Sequence, residues 1–526
     1  MAAIKTAKDL HEIESEWNDV YSPVREENEL LKIAEMCKIF TEGEYVTCDA
    51  NTPRWLGWQG HALAGFVSGL LLMLPGVFPG LAPLQAVAFV PLLVALRRMK
   101  RWRQCLHAGF LMGLGFVAPW ILLLRLPATI GLVLALYLVV LLTVLVVGSW
   151  AFFRPIRVWG CVAFGAFVAI LDWVTVTALP VWGTAQSFVR CWSWYPSAIA
   201  FTAVTGMSGV MFVLAVTQAL AVDIALDRRD LSIRVAVLAG VLIVVTGIDV
   251  VIGLRKPTGR LTVAAIGWAT TAEQRPMRSS GAFDRLYAEQ VAKAAQQGAR
   301  LVVTPEAAFA VYDDPARDPF ATQLELAREH SVYLALGYLD TKSRENRVAF
   351  IGPTEGVMTR YAKVHLTPFE SNPAGTGRLV LVTVDGISVG AMICHDDNFT
   401  DISRRYGRKA TDVVVVPTED WGPVHKAHFQ SSIHRAIESR YAIVRAACNG
   451  ISAIISPKGK RLAVSDHLRN GPNLLVAEVP VYTTRTIFSR FGQWFILSCV
   501  ILLVARTVTQ WQARGHRTRA KQAATL

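Results

Sequence analysis

Three segments in the second half of the chain each set a reactive side chain just past a run of strand-forming residues. In LVVTPEAAF, Glu306 follows an apolar run that a proline stops. RYAKVHLTPFES carries Lys363, His365 and Glu370. In ISVGAMICHDDNF, Cys394 ends an alternating apolar run and is followed by His395 and Asp396. Strand ends present side chains to a common crevice, so the three segments are expected to converge. A carboxylate, an ammonium and a thiol make a coherent set for acyl transfer. Cys394 would attack a carbonyl and form a thioester. Glu306 would take the proton and return it. Lys363, with the backbone N–H after Cys394, would set positive charge beside the developing oxyanion. The lysine would also favour thiolate over thiol, and Glu370 would pair with it and keep it oriented and charged. Taken singly, each residue has a blander reading: a strand-end cysteine is mostly structural, a glutamate after proline is usually a turn residue, and a lone lysine is usually a solvated charge. His395 has two open readings, one that tunes the thiol or touches substrate and one as a polar filler.

These segments need a layered frame, and the surrounding sequence supplies one from about residue 259 to 482. Strand patterns fall at 261–266, 301–304, 332–339, 347–351, 357–361, 379–384, 387–393, 413–416, 451–456 and 461–464. The run 283–297 reads as an amphipathic helix and 425–445 as a long one. Asp385-Gly386 between two strand runs is a strong hairpin signal. Such alternation indicates an α/β or α+β layered fold. His428 and His434 stand six apart, which does not match the i, i+4 pairing of a helical metal site. They read as solvated or substrate-facing, and no metal or cofactor is expected. The eight cysteines form no C-x-x-C pair. Cys105, Cys161, Cys191 and Cys499 lie in or beside apolar runs and read as small buried hydrophobes. Cys394 and Cys448 are expected to stay reduced, because a bridge would consume the nucleophile.

The first half is of a different kind. Over 526 residues, 53% are hydrophobic and only 18% charged, which excludes an ordinary soluble enzyme of this size. The apolar residues gather into runs near 61–78, 81–96, 105–124, 128–149, 158–179, 199–222 and 232–253, with an eighth near 491–506. Basic clusters follow every even-numbered run: Arg97 to Arg103, Arg154 and Arg157, Arg228 and Arg229, and Arg514 to Lys521. The positive-inside rule then puts both termini in the cytoplasm and the globular region, between runs seven and eight, outside it. The net charge of +13 is thus accounted for by topology, and nucleic-acid binding is not expected. Asp172, inside an apolar run, reads as a structurally paired intramembrane acid. Residues 1–57 form a polar arm with a helix expected over 24–40 and no cleavable signal peptide. The resulting division is arm 1–57, seven spans in 58–256, a catalytic domain at 257–484, the last span at 485–508 and a basic tail at 509–526.

The three reactive segments, in this order, resemble the nitrilase (carbon–nitrogen hydrolase) superfamily, whose triad is Glu, Lys, Cys. The likeness is closer to its membrane branch, the apolipoprotein N-acyltransferases. It extends to YAKVHLTPFE, to RAIESRYAIVRAACNGISAIISPKGK, to Leu171-Asp172-Trp173, to Gly183-Thr184-Ala185-Gln186, to TGMSGVMF and to YTTRTIFSRFGQWF, and covers about residues 58–508. The resemblance implies an αββα sandwich joined to a multi-pass helical membrane domain in the bacterial cytoplasmic membrane. It implies Glu306, Lys363 and Cys394 as catalytic residues, with Glu370, His395 and Asp396 in support. It also implies a ping-pong reaction in which a membrane phospholipid donates an acyl group to Cys394. The acceptor would be the α-amino group of a lipoprotein's diacylglyceryl cysteine. Nothing in the sequence signals oligomers, and a monomer is expected. Departures cluster around the site. Thr304 replaces a usual Trp, His395-Asp396 a usual Tyr-Glu, Glu370 follows Phe369 without the usual Gly, and Glu419-Asp420-Trp421 stands for Asn-Asp-x-Trp. The rival readings are a membrane-tethered amidase, an N-acyltransferase with another amine acceptor, and a catalytically silent scaffold, against which the complete triad speaks.

Overall fold

The computed structural model describes residues 54–523 apart from 124–127, 154–157, 179–181, 228–229, 270–286, 313–317, 369, 423 and 470. The helix expected over 24–40 and the first part of that over 283–297 lie outside the described residues.

The apolar half folds as a bundle of α1 (Arg54–Val77), α2 (Val90–Arg98), α3 (Trp102–Leu123), α4 (Ala128–Phe153), α5 (Val158–Ala178), α6 (Ser208–Leu226) and α7 (Leu231–Leu254). Six described segments are long and apolar enough to cross a membrane: Gln59–Val77, Pro79–Arg98, Gly131–Ala151, Val158–Thr177, Ser208–Leu226 and Leu231–Leu254. They match six of the eight expected spans, and the other two fall on α3 and on the last helix, Trp494–Ala523. The second span is broken. Pro79 and Pro83 leave it as a 3-10 turn over Pro79–Ala86 before α2 begins, because proline offers no N–H to an α-helical ladder. The sixth starts at Ser208 and not at 199. Gly206, at φ 72°, stops the short helix Thr202–Thr205. Contacts between α1 and α3 are made backbone to backbone. A Cβ on Gly65 would stand 2.1 Å from the Ala108 carbonyl oxygen, and one on Gly69 1.9 Å from that of Met112. Small residues at i and i+4 permit that approach between membrane helices. Asp172 on α5 is paired structurally, accepting from the Ser187 hydroxyl and the Phe188 N–H at 2.8 Å each.

The second half is a sandwich of two sheets. One has the order β13-β1-β2-β4-β5-β6, with β3 added to β4. Its strands are β1 (Gly259–Ile266), β2 (Leu301–Val303), β3 (Phe309–Val311), β4 (Tyr333–Asp340), β5 (Asn346–Gly352), β6 (Gly356–Ala362) and β13 (Leu474–Val481). The other has the order β12-β11-β10-β9-β8-β7, made of β7 (Leu381–Val384), β8 (Ile387–Ala391), β9 (Val413–Glu419), β10 (Ala442–Cys448), β11 (Ile451–Ile455) and β12 (Arg461–Asp466). β1, β2 and β4 run parallel, as do β8, β9 and β10. Their side chains alternate as the pleat requires. Val263 and Ala265 meet Val413 and Val415 between the sheets. Ala264 and Ile266 face outward onto α8 (Ala288–Gln296) and α9 (Ala321–His330). Val414 and Val416 face the other way, onto α10 (Thr400–Arg408) and α11 (His425–Ser439). The layering is therefore αββα. The α10/α11 layer shares one continuous core with the membrane helices, in which Phe429, Ile433 and Ile437 join Leu171, Phe188 and Ile199. α12 (Trp494–Ala523) closes the chain.

The long helix expected over 425–445 is a helix followed by a strand. Arg440 adopts φ 63° and ends α11. Its guanidinium bonds the Pro457 and Ile252 carbonyls at 3.0 and 3.2 Å. The AIVRAAC run then forms β10, parallel to β9 and buried along its length. Periodicity does not separate a buried strand from a buried helix.

Candidate active site

Parallel strands deliver the first two reactive groups from opposite sheets. Glu306 follows β2 through Thr304 and Pro305, and Cys394 follows β8 through Met392 and Ile393. Lys363 is the residue after β6. Glu306, Lys363 and Cys394 are 5%, 2% and 4% exposed, so their charges interact with little water between them. The Lys363 ammonium donates to Glu306 Oε1 at 2.8 Å and to Glu370 Oε2 at 2.7 Å. Asn346, the first residue of β5, donates to Glu306 Oε1 at 2.6 Å and reaches Glu370 Oε1 at 3.3 Å. The other Glu306 oxygen accepts the Glu419 N–H at 2.7 Å, while the Cys394 thiol donates to the Glu419 carbonyl at 3.4 Å. Carboxylate and thiol thus flank the backbone of one residue at the end of β9.

The electrostatics set the pull of the lysine on the thiol against burial and the carboxylate. Burial alone would lower the Lys363 ammonium, but Glu306, Cys394 and Glu370 outweigh it and hold the lysine well above its ordinary range. Burial and then the Glu306 carboxylate push the Cys394 thiol well up, and the opposing pull of Lys363 does not offset them. Burial and the carboxylate therefore favour the thiol over the thiolate. A thiol needs a base at the moment of attack, and the Glu306 carboxylate stands across the Glu419 backbone from it. Cys394 also sits at φ 45°, a conformation strained for a side chain with a Cβ.

Asp396 ties the lysine segment to the cysteine turn. One carboxylate oxygen accepts the Val364 and His365 N–H groups at 3.1 and 2.7 Å, and the other accepts the Ile393 N–H at 3.0 Å and the Tyr361 hydroxyl at 2.9 Å. His395 is buried, bonds Asn398 at 3.0 Å through Nδ1, and lies edge-on to Phe399. Burial, with the cations His428, Lys363 and His365 around it, lowers it to about 3, so it is a neutral ring. Thr304 is fully buried and accepts the Gly337 N–H at 3.0 Å. Cys394 and Cys448 are both buried and neither is bridged by a disulfide. Among the described residues no His, Cys, Asp and Glu group could hold a metal.

His428 and His434 are not solvated; both are buried. His434 bonds the Arg190 carbonyl at 3.1 Å, across the seam with the membrane bundle. His428 lies behind the nucleophile among Asp397, Asp420 and Arg445. No spacing rule marks that group, or Asn346, in the sequence.

Two imidazoles are raised to about 9. At His428, burial and Arg445 oppose the shift, and Asp397 and Asp420 outweigh them. At His365, burial opposes it, and hydrogen bonds to Asp396 and Asp401 outweigh that. Both bind a proton more tightly folded than unfolded, where histidine titrates near about 6.5. Their contribution to stability is complete below that pH and is lost as pH rises toward 9. The melting temperature in detergent is expected to fall over this interval, and His365→Asn to flatten the slope. A melting temperature that rises between pH 6.5 and 9 contradicts this.

Two sheets packed face to face, with glutamate and lysine past strand ends of one and cysteine past a strand end of the other, define a class. The model of the carbon–nitrogen hydrolase family matches residues 262–487. The chain is further a homologue of curated proteins named apolipoprotein N-acyltransferase. That of Geobacter metallireducens is 25% identical over 83% of this chain and 93% of its own. That of Rickettsia prowazekii is 27% identical over 39% of this chain and 47% of its own. Among solved structures, yeast (Saccharomyces cerevisiae) Nit3, a member of branch 10 of the nitrilase superfamily, is 17% identical. It matches over 43% of this chain and 91% of its own, with a TM-score of 0.37.

Proposed function

We propose that this chain transfers a fatty acyl group from a membrane phospholipid, through a thioester on Cys394, to the terminal amine of a diacylglyceryl-cysteine lipoprotein. The homologues' name supports N-acyl transfer, and the one observation that carries the chemistry is the hydrogen-bonded set joining Glu306, Lys363 and Cys394 through Glu419. In the first half-reaction the Cys394 sulfur bonds to the ester carbonyl carbon as its proton passes to Glu306. The ester C–O bond breaks, and the lysophospholipid alkoxide leaves with that proton. In the second, the acceptor amine bonds to the thioester carbon and the C–S bond breaks. Glu306 carries a proton from nitrogen back to sulfur. Lys363 and the His395 N–H stabilise the oxyanion of both tetrahedral intermediates. Burial of the α10/α11 layer against the membrane bundle supports a donor that arrives from the bilayer. The basic clusters support a catalytic domain on the outer face of a bacterial inner membrane, with both termini cytoplasmic. The chain would be divided as arm 1–57, spans 58–256 and 485–508, catalytic domain 257–484 and tail 509–526, and would act as a monomer.

The test is intact mass after incubation of purified protein with a defined phospholipid. An acyl adduct mapped to Cys394, stable in buffer and cleared by a diacylated lipopeptide, is expected. Clearance at the same rate in water alone makes the protein a hydrolase, as the amidase reading requires of its thioester, and no adduct removes the thioester enzyme.

A further inference from the structure

Behind Cys394 lies a closed group of four charges. His428 Nδ1 is 2.6 Å from Asp420 Oδ1, and its Nε2 is 3.1 Å from the Cys394 carbonyl oxygen and 3.0 Å from Asp397 Oδ1. Nε2 faces only acceptors, and Nδ1 faces Asp420 at 2.6 Å with Arg445 Nη2 at 3.2 Å; a hydrogen on each nitrogen, donated to these closer acceptors, makes the ring an imidazolium. Arg445 lies 2.8 Å from both Asp420 oxygens and 3.3 Å from Asp397 Oδ2. Ser432 donates to the same Asp397 oxygen. The four side chains are buried and their charges cancel.

The carbonyl that His428 holds belongs to the peptide bond whose other end is the His395 N–H. A donor on a peptide oxygen fixes the plane of that peptide and polarises it, which strengthens its N–H as a donor. Cys394 needs such a clamp, because its φ of 45° is a conformation that the chain does not keep unaided.

We infer that His428, held by Asp420 and Asp397, is a positioning residue that aims and polarises the 394–395 peptide as the oxyanion donor. This rests on the thioester reading above. It assigns the histidine no contact with substrate and no proton transfer.

Alkylation separates this role from a structural one. Attack of the thiol on iodoacetamide needs the Cys394 sulfur but makes no oxyanion, whereas acylation by phospholipid needs both. In His428→Leu, acylation measured by intact mass is expected to fall roughly 100-fold, the size of losing one oxyanion donor. Alkylation of Cys394 is expected to change less than threefold. His428→Gln, which can still donate to the carbonyl without charge, is expected to recover part of the acylation rate. Asp420→Asn, which leaves the peptide and its ring donor in place while removing a charge that raises the Cys394 thiol, is expected to lower the ratio of acylation to alkylation more weakly than His428→Leu. The charged groups facing the ring are Asp397, Asp420 and Arg445, and the titratable but neutral His395 lies beside it. As pH rises through about 9 the ring gives up its proton, so the ratio of acylation to alkylation should drop in the wild type and not in His428→Gln. Equal loss of both rates in Leu and Gln variants means the turn has simply collapsed, and the inference fails. Unchanged rates in both variants also overturn it. Should the wild type be alkylated at Cys394 yet never acylated, the thioester reading itself falls, which is a different outcome from either.

Discussion

Glu306→Gln is expected to slow acylation of Cys394 by roughly 10²–10⁴-fold, the usual weight of a general base. Burial and Glu306 itself favour the thiol over the thiolate at rest, so acylation waits on a group that takes the proton. Gln keeps the size of Glu but offers one acceptor and one NH₂ in place of two acceptors. One Glu306 oxygen now receives Lys363 and Asn346, and the other receives the Glu419 N–H. Whichever way the Gln amide turns, its NH₂ confronts one of these donors. A loss of about 1–3 kcal/mol in stability should therefore accompany the kinetic loss. Glu306→Asp keeps a base and withdraws it by one methylene, so it should retain more acylation than Gln. Single-turnover mass spectrometry with phospholipid micelles reads both rates. A Gln variant that acylates within threefold of wild type removes Glu306 from proton transfer.

Much of the site was legible because its signals are local. Glu306, Lys363 and Cys394 each follow a strand pattern, and a strand end is readable from a few residues on either side. The Asp385-Gly386 hairpin was equally plain, and both residues adopt positive φ, 47° and 83°. What stayed hidden is long-range. Asn346 meets Glu306 across 40 positions, and as a lone Asn opening a strand it carries no periodic signature. His428 was judged against a metal-site spacing, when its partners Asp397 and Arg445 come from two other elements. β10 was absorbed into α11 because a strand buried on both faces has no alternation to betray it. The 3-10 break at Pro79–Ala86 was smoothed into a span, since hydropathy averages over the prolines that interrupt it.

Lys363→Met tests the charge balance that the site depends on. The ammonium lies between Glu306 and Glu370, at 2.8 and 2.7 Å, with Glu306 buried and Glu370 partly buried beside it. Removing it leaves two carboxylates bridged only by the neutral Asn346 amide. Breaking a buried pair from one side costs about 3–5 kcal/mol, because the remaining charge keeps its desolvation penalty. The unfolding transition should therefore shift strongly, and acylation should fall by about 10²–10³ as the oxyanion loses its cation. The double variant Lys363→Met, Glu370→Gln should recover part of the stability, since one uncompensated charge is gone, with a coupling of about 0.5–3 kcal/mol between the two sites. It should recover none of the rate. Lys363→Arg should fail on both counts, because a planar fork does not fit two single-point contacts made in a space shaped for an ammonium. Stability and catalysis thus separate at one residue. If Glu370→Gln restored acylation in the Met background, Lys363 would be a counter-ion for Glu370 and not the group that meets the oxyanion.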